Sequence, residues 1–100
     1  MRCGGTAEAT APTSEGIEAA TSVKSKVEEK ISKKLDTYEP VSQRTQVVAG
    51  INFFMKVKIG ASEFVHIRVY RDLQGNVSLH GVQSGKAETD TLEYFEQNID

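Results

Sequence analysis

Phe53-Phe54-Met55-Lys56-Val57-Lys58-Ile59-Gly60-Ala61-Ser62-Glu63-Phe64-Val65-His66-Ile67-Arg68-Val69-Tyr70 holds two runs of alternating apolar and polar side chains, parted by Gly60-Ala61-Ser62. Period two marks a strand with one buried face, because successive side chains point to opposite sides of a sheet. Phe53, Met55, Val57 and Ile59 share one face of the first run, and Val65, Ile67 and Val69 one face of the second. A connection this short forces an antiparallel neighbour. The stretch predicts a β-hairpin.

Outward from that hairpin, the segment Val41 to Val48 leads directly into the first run. Val77-Ser78-Leu79-His80-Gly81-Val82 follows the second after the turn Asp72 to Asn76. Four strands in succession are expected, with Pro40 near the start of the first, where its missing N–H is tolerated. Before Tyr38 the period changes. Ile17, Ala20, Val23, Val27, Ile31 and Leu35 step by three or four residues, the stripe of an amphipathic helix over residues 13–35, with Thr13 or Ser14 as its N-cap. Glu15 and Glu18 suit its positive end and Lys33 and Lys34 its negative end, and Glu29 and Lys33 make an i,i+4 pair. One helix covering one face of an antiparallel sheet gives the class α+β.

The ends carry less pattern. Residues 1–12, rich in Gly, Ala and Thr before Pro12, read as a flexible N-terminal trunk. The sheet region is expected to extend over 38–95, with Leu92, Tyr94 and Phe95 as anchors, and residues 96–100 to form an acidic tail. The 100 residues are 38% hydrophobic and 26% charged, enough for one domain with a modest core over 1–100. Twelve basic against fourteen acidic residues leave a net charge of -2, so no basic field favours nucleic acid or an anionic membrane as a partner. Cys3 is the only cysteine, which excludes an intramolecular disulfide and suits a reducing, cytoplasmic setting. Met1 to Glu8 also lacks the apolar run of a signal peptide.

No catalytic constellation emerges. Cys3 lies in the trunk, where nothing fixes a base beside it. His66 and His80 sit within strands and are expected on a polar sheet surface, too few to ligate a metal. Glu28 and Glu29 diverge around a helix by about 100° and cannot share a substrate, and Gly4-Gly5 opens no phosphate loop. Neither an enzyme nor a cofactor is expected. What remains is a surface for presentation: the trunk at Gly4-Gly5, the turn Gln46-Val47-Val48-Ala49-Gly50, and the turn Leu73 to Asn76. In an antiparallel meander the two turns lie at the same end. Val47 and Val48 are β-branched and stiff, so they lose little entropy on binding, while Ala49-Gly50 admit a close backbone. By pattern alone, Val-Val-Ala-Gly reads rather as the end of a buried strand followed by a glycine-bent corner.

The chain resembles the stefins, the disulfide-free branch of the cystatins. Gln46-Val47-Val48-Ala49-Gly50 has the form of the family's QxVxG motif. It stands in family order with Cys3-Gly4, Val27-Glu28-Glu29-Lys30, Asn52 to Val57, Phe64 to Val69 and Leu92-Glu93-Tyr94-Phe95. The resemblance implies a five-stranded antiparallel sheet wrapped around one long helix, the trunk adding a strand. It also implies reversible inhibition of papain-like (cathepsin-type) cysteine proteases without a cofactor. The protease-binding positions it implies are Gly4, Gly5, Gln46, Val47, Val48, Ala49, Gly50, Leu73 and Gln74. Stefins commonly carry proline after the second-turn leucine, where this chain has Gln74. The chain is expected to be a monomer able to exchange strands into a domain-swapped dimer, and a cystatin-fold binding module without inhibition is the alternative function.

Overall fold

A computed structural model describes residues 9–92 of the chain. The alternating runs become β2 (Gly50–Lys58) and β3 (Phe64–Arg71), flanked by β1 (Glu39–Val48) and β4 (Val77–Lys86) in one antiparallel sheet ordered β1-β2-β3-β4. Register pairs Phe53 with Val69, Met55 with Ile67 and Val57 with Val65, so the apolar positions meet across the strands. Against them pack Ala19, Ala20, Val23 and Val27 from the helical segment, closing a core with Leu35 and Val82. Each fully buried Val, Met or Phe contributes about 1.5–3 kcal/mol by leaving water. The alanines keep the helical backbone close to the sheet.

The expected single helix is instead two, α1 (Ser14–Ser22) and α2 (Lys24–Ile31), parted at Val23. Val23 takes φ -106 and ψ 12 while staying buried. The apolar stripe therefore runs unbroken across a break in the backbone. Two side chains take up the carbonyls of this last turn: Ser22 Oγ donates to Glu18 O at 2.8 Å, and the Tyr38 hydroxyl donates to Ala20 O at 2.8 Å. Serine back-bonding of this kind bends helices. Burial, then the nearby Glu28 charge, pushes the Tyr38 phenol well above its ordinary pKa, so it remains a donor.

The helical segment is capped as expected but ends before its expected limit. Thr13 is the N-cap, accepting from Gly16 N at 3.2 Å. Ile17 is 42% exposed rather than part of the buried stripe. α2 stops at Ile31 because Ser32 turns left-handed at φ 56 and Lys33 N returns to Glu28 O at 3.1 Å. Leu35, still buried, lies beyond the helix, with its N–H held by the Glu28 carboxylate at 2.9 Å. Lys33 thus makes no helical pair with Glu29 and contacts Glu63 at 3.0 Å instead.

The sheet face opposite the helices is not a plain polar surface. Phe54 and Leu92 form a second buried cluster there, and the segment 87–92 crosses it. Lys56 Nζ fastens that segment by donating to the carbonyls of Glu88 at 2.7 Å and Asp90 at 2.5 Å. His66, expected on a solvated face, is 1% exposed beneath it. His80, two residues past Ser78 on β4, is exposed as expected. Tyr94, Phe95 and the tail lie outside the described residues.

On the free side of β1, Thr10 makes an isolated antiparallel bridge to Gln43, with N–H to carbonyl bonds of 2.8 and 2.9 Å. The Gln43 side chain is buried and its Oε1 accepts from Thr13 N at 3.1 Å at the start of α1. A Cβ on Gly16 would stand 2.0 Å from that oxygen. One residue thus joins the N-terminal segment, through its backbone, and the helix start, through its side-chain amide, to the sheet edge. The five-stranded sheet implied by the resemblance is represented among the described residues by four strands and this bridge.

Candidate functional site

Both turns singled out in the sequence fall at one end of the sheet. Val48 pairs with Gly50 around Ala49, and the neighbouring pair Ile51 and Arg71 sets this first turn beside the one that opens at Asp72. The two turns project together because the β2–β3 register leaves their strands ending level.

In the first turn, Val47 is 70% and Val48 43% exposed, so the alternative of a buried strand end does not hold. Gln46 is half-buried and faces its strand partner Asn52, whose Nδ2 donates to Gln46 Oε1 at 2.8 Å. It fastens the base of the hairpin while the valines form the tip. Gly50 adopts φ 115, and a Cβ there would lie 2.4 Å from the Arg71 carbonyl oxygen. Only glycine meets both conditions. Behind it, the Tyr70 hydroxyl donates to the carbonyl of Ala49.

The second turn is organised by Asp72. Its Oδ1 accepts from the backbone N–H of Gln74 and of Asn76, each at 2.9 Å, and its Oδ2 from Asn76 Nδ2 at 3.1 Å. Bonds from Asn76, reinforced by those from Gln74 and Gly75, hold the Asp72 carboxyl below its usual pKa. Gly75 at φ 93 closes the loop, and Leu73, 78% exposed, stands at its outer corner beside exposed Gln74. Asp72 replaces by side-chain bonding the rigidity that a proline would bring.

The tips therefore present Val47, Val48, Ala49 and Leu73, none of which can supply a proton, a nucleophile or a ligand. Among the described residues no cluster of three or more His, Cys, Asp or Glu is placed to hold a metal ion. Gly4 and Gly5 lie outside the described residues. Asn52 and Tyr70 belong to this end of the molecule although nothing local in the sequence marks them. Only their register beside Gln46 and Ala49 does.

The Cystatin domain family matches residues 4–94. The chain belongs to the cystatin family. Cystatin-A of Mus musculus is 44% identical over 94 residues, covering 92% of this chain and 97% of its own. Cystatin-B of Homo sapiens is 40% identical over 98 residues, covering 95% of this chain and 100% of its own. Cystatin-A1 of Sus scrofa is 42% identical over 98 residues, with 95% of each covered. As a stefin-type cystatin the chain is a cysteine protease inhibitor and not an enzyme. No described helix of this cystatin is long and apolar enough to cross a membrane.

Proposed function

We propose that this cystatin blocks papain-like, cathepsin-type cysteine proteases reversibly and tightly, by seating the turn Gln46 to Gly50 and the turn at Leu73 and Gln74 in the active-site cleft, with Gly4 and Gly5 of the trunk alongside. The supporting observation is the pairing of two stiff, apolar, unreactive tips at one end of the sheet, Val47 with Val48 and Leu73. A cleft lined to receive an extended peptide gains from burying such tips, and the tight Ala49-Gly50 corner offers no extended peptide in line for attack by the thiolate. Inhibition is then occlusion without a covalent step and without a cofactor. A protease–inhibitor interface of about 1,600 Å² in total is within reach of two loops and a trunk. At Thr10 the backbone runs antiparallel to β1.

The setting we assign is the cytoplasm, with the inhibitor acting as a monomer and able on mild heating to exchange its first hairpin into a domain-swapped dimer. The test is titration into a papain-like endopeptidase hydrolysing a fluorogenic peptide, with a serine protease as control. The native chain inhibits the cysteine protease alone at nanomolar concentration, and Val48→Asp loses at least about a hundredfold by burying an unpaired charge. Undiminished inhibition by Val48→Asp would place the contact surface elsewhere on the fold.

A further inference from the structure

Behind the first turn a cross-strand row spans the sheet on the face away from the helices: Gln46, Asn52, Tyr70 and Ser78 stand successively opposite one another. Cross-strand partners share a face and touch, so such a row acts as a girder. Two of its members reach into the first turn. Asn52 holds the Gln46 side chain at the hairpin base, and Tyr70 holds the backbone at the tip through the Ala49 carbonyl. The Tyr70 ring is itself steadied from β4 by His80, whose ring centre lies 5.5 Å away at 37°. On the chain after Tyr70, the Arg71 carbonyl and Asp72 Cα lie where a Gly50 side chain would begin, at 2.4 and 3.1 Å. The end of β3 thus touches the first turn and opens the second.

We propose that Tyr70 is a positioning residue for inhibition. Its hydroxyl locks the Ala49 carbonyl and thereby fixes the first turn against the β3 end that carries Leu73, so that both tips enter the cleft as one preformed body. The inference rests on the site assignment above. A loop held in its bound shape has less freedom to lose on association, and a loop released from that hold recovers freedom by leaving. The hydroxyl lies at the exposed rim and fills no part of the core, so its work is on the turn. Loss of one such bond corresponds to about a fivefold change in affinity, expressed mainly in the dissociation rate.

Tyr70→Phe isolates the hydroxyl. Dissociation from a papain-like protease is measured for the native chain, Tyr70→Phe and Val48→Asp, together with thermal melting and backbone amide exchange of the free proteins. Dissociation of Tyr70→Phe about three- to tenfold faster, with an unchanged melting temperature, faster exchange at the Ala49 and Gly50 amides and unchanged exchange at Met55 and Ile67, supports the proposal. Equal dissociation rates for Tyr70→Phe and the native chain overturn it, and so does a loss of affinity accompanied by faster exchange at Met55 and Ile67, which makes the hydroxyl a residue of the fold. If Val48→Asp binds as the native chain does, the site assignment fails, and the placement of Tyr70 as a positioning residue fails with it. Unchanged Tyr70→Phe binding beside a failed Val48→Asp removes the present inference alone.

Discussion

Gly50 shows how narrowly one residue can be constrained. It needs positive φ, and it needs the space beside the Arg71 carbonyl that any Cβ would enter. Gly50→Ala must either strain the backbone or push the turn off the end of β3, costing about 1–3 kcal/mol of stability in urea unfolding. Inhibition should fall further than stability alone explains, since the displaced turn carries Val47 and Val48. The glycine was legible in the sequence from its motif. Its reason was not, because the Arg71 carbonyl is twenty-one positions away and arrives only with the β2–β3 register. Asn52 and Tyr70 escaped a reading of the sequence on the same ground: each acts on a residue brought alongside by pairing, and neither carries a pattern of its own.

Among the elements, the four strands were readable because alternation is a local property, and the hairpin at 53–70 is what its spacing says. The helix was half readable. Its apolar stripe persists through Val23, whereas the break there is accompanied by bonds from Ser22 to Glu18 O and from Tyr38, which reaches back to Ala20 from the far side of the Leu35 corner. The strand histidine was misread because alternation tells which face a residue occupies but not what covers that face. The segment 87–92 covers it, and nothing in its polar sequence except Leu92 signals that. This has a measurable outcome. Burial first, then the positive charges of Lys56 and Lys86, lower the His66 pKa from 6.5 to about 4 against the opposing pull of Asp90. Between those values the unfolded chain binds a proton that the fold does not, so the His66 contribution to stability falls as pH drops from about 6.5 to about 4 and is constant below. The loss should reach about 3 kcal/mol in denaturant titrations, and His66→Gln should flatten it.

For the molecule as a whole, the parts we assign to the protease contact are loops, and on that assignment what makes them a wedge is their seating on an end of the sheet that the core holds level. The N-terminal segment is joined to this body at Gln43, whose backbone pairs with Thr10 while its side-chain amide meets Thr13 at the start of α1. Gly16→Ala in the native background forces that amide out of its place and sacrifices its bond to Thr13 N, so the usual benefit of alanine over glycine in a helix is cancelled or reversed. In a Gln43→Ala background the same change should stabilise by about 0.5–1 kcal/mol, and four unfolding curves measure the difference. A descendant of this sequence draws the full benefit of a larger residue 16 once residue 43 has shortened, so the worth of either change depends on which came first, through a single side chain's reach.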